Sequence, residues 1–188
     1  MRSADRGKYM AISLENIWAA AKALGERTGK EPKNALDEWG LYLEIPPKRW
    51  EYFCTPKNSV TFGSTGGDGV HFGLLELPGM ESHQLPVVMT VPMSDRHNVV
   101  IAETLGEFLN IGFHVGWFSL EQIVYDPDEA VEYHADADRE DWPDHIDELV
   151  FFRELLALTH QPLSRKRVVA LEQKYRPLIV GDDEPPGE

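Results

Sequence analysis

Four side chains near the middle of the chain have the chemistry of metal ligands or of acid–base groups. Asp68 and His71 lie three residues apart, and Asp95 and His97 lie two apart. Carboxylate oxygens and imidazole nitrogens bind zinc, but neither pair has the spacing of a known motif such as His-Glu-x-x-His. One hypothesis is a small hydrolase or ligand-binding enzyme that uses Asp68, His71 and His97. The simpler interpretation is that His71 belongs to a strand, where it faces solvent or forms hydrogen bonds.

A glycine-rich run, STGGDG at 64–69, lies between two segments of β-branched and aromatic residues. Backbone N–H groups of such a run can cradle a phosphate. A phosphate-binding loop usually leads into a helix and often carries a lysine, whereas here a strand pattern follows and no lysine is near. The run therefore predicts a β-hairpin that turns within Ser64 to Gly69, with Phe62 and Phe72 in the core. At least one glycine should have a positive φ, among Gly66, Gly67 and Gly69.

The second half of the chain is strongly acidic. The window from Glu121 to Glu154 holds thirteen Asp or Glu residues and two Arg. Such a run is either a solvated surface or a docking surface for a basic protein, between Glu121 and Asp147. Aromatic residues inside it could anchor a partner, or could fold back over the core. The predicted partner-binding residues are Tyr133, Asp136, Asp138, Glu140, Asp141 and Trp142. Alternative interfaces are the sheet face near His71 and the basic helix that starts at Arg165.

Composition narrows the function classes. The 188 residues carry a formal net charge of −14, which disfavours direct nucleic-acid binding and permits a basic protein partner. Cys54 is the single cysteine, so an intrachain disulfide is impossible and a cytoplasmic location is expected. No apolar run reaches the roughly 18 residues of a membrane span, and Met1 to Lys8 lack the features of a signal peptide. We predict neither a cofactor nor a bound metal.

The pattern of elements predicts an α+β fold in one domain, residues 1–180, with a central antiparallel sheet of about four to six strands and flanking helices. Ser13 and Gly29 should bound the first helix, and Thr104 should cap another. Pro46-Pro47 should open a short helix, and 126–141 should be an exposed connector with a helical turn at most. A helical extension should cover 144–177, starting from Asp144, with an acidic, disordered tail at 181–188.

The order of these segments resembles the SUKH superfamily, which includes a yeast regulator of cell-wall synthesis and many bacterial immunity proteins. IPPKRWEYF at 45–53 resembles the family's Leu-Pro-x-x-Tyr-x-x-Phe helix start, and 60–75 resembles its central hairpin. NVVIAETLGEFL at 98–109 is similar to its closing strand and helix. The resemblance covers about 36–125. CTP at 54–56 stands where the family often has Asn-Gly-Gly, and nothing after Asp126 aligns.

This resemblance implies a fold and a function. It implies a non-enzymatic α+β module that binds proteins, and in bacteria it often implies an immunity protein that neutralises a cognate toxin by direct binding. We therefore expect a protein partner, such as a basic toxin domain, and no catalytic residues.

Overall fold

A five-stranded antiparallel sheet forms the centre of the protein. A computed structural model describes residues 11–135, 146–161 and 163–181. The strands follow each other in the sheet in chain order, which is a simple meander. They are β1 (Tyr42–Lys48), β2 (Ser59–Ser64), β3 (His71–Leu75), β4 (Val87–Thr90) and β5 (Asn98–Ala102). The predicted α+β class, with four to six antiparallel strands and flanking helices, is confirmed.

Helices flank the sheet. The α-helices are α1 (Leu14–Thr28), α2 (Leu105–Ile111), α3 (Pro127–Ala135), α4 (Ile146–Leu155) and α5 (Arg165–Tyr175). Shorter 3-10 helices lie at Pro32–Asn34, Asp37–Trp39, Ser82–Gln84, Phe118–Val124 and Arg176–Leu178. The predicted caps are confirmed: Ser13 accepts from the backbone N–H of Asn16, Gly29 is left-handed, and Thr104 accepts from Glu107.

Both faces of the sheet are covered. Phe62, Phe72 and Ile101 face the larger core, which α1, α2 and α4 complete. The opposite face packs Leu75, Val88 and Val100 against α5, through Leu171 and Tyr175. All residues of β3, β4 and β5 are accordingly buried, as expected of strands covered on both sides.

The predicted hairpin is present. β2 and β3 pair antiparallel, with Ser64 opposite His71, and the chain reverses between them. Gly66 and Gly69 have positive φ angles of 83° and 73°, so the glycine prediction is also confirmed. Phe62 and Phe72 are fully buried, with ring centroids 5.4 and 4.9 Å from that of Phe108.

Two predicted elements differ from the structure. The helix expected from Pro46-Pro47 is wrong, because β1 runs through both prolines to Lys48 and a turn segment follows. β1 is an edge strand, where a residue without an N–H is tolerated. The connector expected at 126–141 is wrong in its first part, because 127–135 form the two-turn helix α3. Asp126 caps that helix by accepting from the backbone N–H of Glu129.

Several other predictions fall on residues that the structure does not describe. Asp144, expected to cap α4, lies outside the described ranges, as do residues 182–188 of the predicted disordered tail. The C-terminal helix α5 packs on the sheet. Glu172 of α5 accepts from the backbone N–H of Val100 at 2.6 Å and forms an ion pair with Arg96.

Candidate functional site: the hairpin tip and its aromatic rings

His71 lies at the tip end of the hairpin, on the sheet face that α5 covers further along. Its side chain is buried, with Nδ1 2.7 Å from the carbonyl oxygen of Gly69 and Nε2 3.0 Å from the hydroxyl of Thr55. A carbonyl only accepts, so Nδ1 carries the proton and Nε2 accepts from Thr55. Burial lowers the pKa of His71 below its ordinary value, opposed by the hydrogen bond to Gly69. The imidazole is thus held neutral with both nitrogens occupied.

The loop 49–58, which joins β1 to β2, covers this end of the sheet. The rings of Trp50 and Tyr52 lie 5.0 and 5.6 Å from the His71 ring, centroid to centroid. Phe53 meets His97 edge-on at 5.2 Å. The carbonyl of Cys54 accepts from the side-chain amide of Asn98 at 2.9 Å. The loop is therefore fixed to β3 and β5 by hydrogen bonds as well as by ring contacts.

The residues of the enzyme hypothesis occupy different environments. His71 is buried beneath two rings, while Asp68 is exposed in the turn with a φ of 49°. His97 precedes β5 and lies against Phe53. Within residues 11–135, 146–161 and 163–181, no group of three or more His, Cys, Asp or Glu side chains is placed to hold a metal ion. None of the helices described is long and apolar enough to cross a membrane.

Exposed aromatic residues lie over the turn of the hairpin and beside the residues that precede β1. The Tyr42 ring lies over Gly66, and the Tyr52 ring lies over Gly69, because a Cβ atom at either glycine would come within 3.0 Å of a ring carbon. Phe118 packs its backbone against Gly40, just before β1, and leaves its side chain outside. The exposed fractions are 37% for Tyr42, 44% for Tyr52 and 60% for Phe118. The three side chains therefore expose a large aromatic area, and the backbone that carries them is held in place by these contacts.

Two carboxylates accompany these rings. Asp68 lies in the turn, and Glu121 lies on the 3-10 helix that Phe118 begins. Burial raises the pKa of the Glu121 carboxyl above its ordinary value, and the nearby charge of Asp68 raises it further. Neither carboxylate forms an ion pair with any side chain in the described part of the chain. We call this set the hairpin-tip surface; it consists of Tyr42, Tyr52, Asp68, Phe118 and Glu121.

A cleft of about 740 Å³ lies elsewhere, lined by residues that include Glu103, Glu107 and Arg167. Its charged groups pair with each other: the Arg167 guanidinium donates to Glu103 at 2.8 Å and to Glu107 at 2.6 Å. Burial alone would raise the pKa of Glu103, but hydrogen bonds from Lys174, Arg167 and Tyr175 hold it at about 2. Because its ionised groups are already satisfied, this cleft offers little to a polar ligand.

The acidic docking surface predicted from sequence is only partly described. Tyr133 lies on α3, half-buried, with its ring 5.6 Å from that of His134. The remaining predicted residues lie outside the described ranges: Asp136, Asp138, Glu140, Asp141 and Trp142. Of the predicted set, the structure therefore describes Tyr133 alone.

The rings of the hairpin-tip surface were missed by reasoning from sequence. In the sequence, Tyr52 belongs only to the IPPKRWEYF motif at 45–53, and neither Tyr42 nor Phe118 belongs to a recognisable motif. The glycines against which these aromatic residues pack, Gly40, Gly66 and Gly69, are the sequence feature that could have indicated the surface. Each glycine and the aromatic residue that packs on it lie in different segments of the chain. The residue pattern within one segment therefore cannot predict the contact.

Neither a protein-family model nor a curated protein matches this chain. The family resemblance therefore rests on the order of the motifs alone.

Proposed function

We propose that this protein is a non-enzymatic, cytoplasmic protein-binding module of the SUKH type, and that it neutralises a bacterial toxin by direct binding. The observation that carries the proposal is the hairpin-tip surface, where the exposed rings of Tyr42 and Tyr52 lie over Gly66 and Gly69 of the turn that holds Asp68. Exposed aromatic clusters of this kind are typical of surfaces that bind proteins.

Rigid rings make efficient anchors. The rings of Tyr42 and Tyr52 pack against Gly66 and Gly69 of the hairpin turn, and Tyr52 also stacks on Trp50 with a centroid distance of 5.9 Å. A ring that is already held in place loses little side-chain entropy when a partner covers it. Burial of such rings at the centre of an interface slows dissociation.

Charge supports a basic partner. The net charge is −14, and the hairpin-tip surface itself carries Asp68 and Glu121. Long-range attraction between opposite charges speeds association and favours partners of the opposite sign. The acidic residues predicted from sequence, Asp136 to Asp141, would add to this attraction wherever they lie.

The test measures binding kinetics against the product of the neighbouring gene. We expect the double variant Tyr42→Ala/Phe118→Ala to dissociate about tenfold or more faster than the unmodified protein, because it loses two anchors. Leu178→Ala is the matched control: Leu178 is also 45% exposed, and it lies beside Asn58, at the far end of β2. The control should leave both rates unchanged.

The acidic segment has its own variant in the same experiment. Changing Asp136, Asp138, Glu140 and Asp141 to Lys should slow association more than it speeds dissociation, and the effect should shrink as salt rises. Dissociation of Tyr42→Ala/Phe118→Ala at the unmodified rate would place the interface elsewhere. No binding by the unmodified protein would overturn the proposal, and turnover of a small substrate that depends on His71 would favour an enzyme.

A further inference from the structure

A cleft of about 740 Å³ lies between α2 and the segment that follows α4. Ile12, Leu156 and Leu158 form its apolar wall. A smaller recess of about 220 Å³ shares Ile12 and Leu156 with the cleft and extends to Ala20 of α1 and Leu155 of α4. Pockets of roughly 300–1,000 Å³ with mostly apolar walls are typical sites for small molecules. The cleft and the recess together therefore have room for a compact head group and an apolar chain.

Hydrogen-bond donors of Gln84, Asn110 and Arg167 line this cleft. Oδ1 of Asn110 accepts from the backbone N–H of Thr159 at 3.1 Å, and Oε1 of Gln84 accepts from that of Glu81 at 3.4 Å. Because an N–H needs an acceptor, these bonds identify the oxygen of each side-chain amide. Arg167 uses Nε and Nη2 for its ion pairs with two carboxylates. Nothing among the described residues accepts from Nδ2 of Asn110, Nε2 of Gln84 or Nη1 of Arg167, so these three groups are left to donate to a ligand.

Gly106, in the first turn of α2, keeps this side of the cleft open. Its φ is not positive, and a Cβ atom there would lie 3.7 Å from Cδ1 of Ile12 and 3.8 Å from Oγ1 of Thr104. These are ordinary contacts, so neither the backbone nor the packing requires glycine. Glycine stabilises a helix less than alanine does. The residue thus costs stability and leaves space for an occupant of the cleft.

We propose that this cleft binds a small, neutral molecule with an apolar chain and a carbonyl group. The carbonyl oxygen, which only accepts, bonds to the three donors, and the chain lies against Ile12 and Leu156. A neutral head group fits better than an anionic one, because Glu103 and Glu107 line the same cleft and the net charge of the protein is −14. The cleft shares no residue with the hairpin-tip surface, and this proposal does not depend on the protein-binding function.

The test compares two molecules that carry the same octyl-length chain. N,N-dimethyloctanamide has a neutral head group that only accepts, whereas N,N-dimethyloctylamine is protonated at neutral pH and only donates. In NMR titrations of the ¹⁵N-labelled protein, the octanamide should shift the backbone amides of 104–110 and 156–158 and the side-chain NH₂ signals of Gln84 and Asn110. Its dissociation constant should be about 1 mM, the scale for a ligand of this size. The amine should bind these residues about tenfold more weakly, and equal binding of the two molecules would overturn the proposal.

Two double variants test the donors. Gln84→Glu/Asn110→Asp keeps the oxygens that accept from the backbone and replaces each donor with an acceptor, so it should bind the octanamide about tenfold more weakly. Gln122→Glu/Gln173→Glu adds the same charge at exposed positions outside the cleft and should bind like the unmodified protein. Unchanged binding by the first variant, or an equal loss in both variants, would overturn the proposal.

Filling the cleft is an independent test. Gly106→Leu places a side chain in the space that glycine leaves, so it should abolish the shifts at 156–158 without lowering the melting temperature. Full binding by this variant would overturn the site. Residues 1–10 precede Ala11, which lines the cleft, and Tyr9→Ala/Met10→Ala should bind the octanamide like the unmodified protein. Binding that is about tenfold tighter would assign the cleft to the chain's own first residues and overturn the proposal.

Discussion

The ring of Tyr42 lies directly over Gly66, so that a Cβ atom at Gly66 would come within 3.0 Å of three ring carbons. The same glycine has a φ of 83°, which side-chain-bearing residues rarely adopt. Gly66 thus allows the chain to reverse in the hairpin and also leaves room for the exposed Tyr42 ring. The shape of the hairpin-tip surface therefore depends on a position that has no side chain.

Gly66→Ala should lower the free energy of unfolding by about 1–3 kcal/mol, because the backbone is strained and the Tyr42 ring must move. Gly67→Ala is the matched control, since the added Cβ meets no atom within 4 Å and the φ of Gly67 is not positive. Urea unfolding of both variants measures the difference. Equal stability of the two variants would contradict this account of the turn.

Thr55→Val should destabilise the protein by about 1–3 kcal/mol, because Nε2 of the buried His71 loses its hydrogen-bond donor. Thr55→Ser keeps a hydroxyl and should retain most of that stability. Unfolding curves give the stabilities, and hydrogen exchange of the loop 49–58 shows whether the loop opens. If Val is tolerated as well as Ser, the bond between Thr55 and His71 does not hold the loop.

Arg167→Met should cost about 1–3 kcal/mol of unfolding free energy, because the buried carboxylate of Glu107 loses its partner while Arg167 itself is partly exposed. Arg165→Met, two residues earlier, removes only the exposed pair with Asp128 and should cost less than about 0.5 kcal/mol. Thermal or urea unfolding compares them. Similar costs would mean that the Glu103–Glu107 network adds little beyond a surface pair.

The stability of the protein should fall as the pH decreases from about 6.5 to about 4, and His134 should cause part of that fall. Burial lowers the pKa of His134 to about 4, so the unfolded chain takes up a proton in this range and the folded protein does not. His134 should contribute on the order of 3 kcal/mol to the change.

His134→Gln should flatten the dependence of unfolding free energy on pH between 6.5 and 4. The substitution also changes the hydrogen bond between Ser119 and His134, so the stability at pH 7 can change as well. The slope of unfolding free energy against pH is therefore the quantity to compare. Urea unfolding at several pH values gives both slopes. Parallel curves for the two proteins would show that His134 is not the titrating group.

Local signals in the sequence predicted the elements that are defined locally. Ser13 and Gly29 bound α1 because a cap acts within one turn. The hairpin followed from glycines and alternating residues that are adjacent in the chain. Pro46 and Pro47 led to the wrong prediction of a helix. A strand tolerates proline when it lies at the edge of a sheet, and the edge position of β1 depends on the order of all five strands.

Non-local contacts explain what the sequence did not predict. α3 has few apolar residues, but Ala130 and His134 are buried, and α3 packs on the 118–124 helix. The hairpin-tip surface joins four segments: β1 with Tyr42, the loop 49–58 with Tyr52, the turn with Asp68, and the 118–124 helix with Phe118 and Glu121. A pattern within one segment cannot show that a ring from another will lie over its glycine, so the candidate site became visible only in the fold.

The meander order also shapes how the chain folds. Each strand pairs with its neighbour in sequence, so sheet formation closes only short loops and costs little entropy. α5 reaches β5 across more than sixty residues, through contacts such as that of Glu172 with Val100. We expect α5 to dock after the sheet has formed. Until then Leu75, Val88 and Val100 face water, and a chain truncated before α5 would expose this apolar stripe to aggregation.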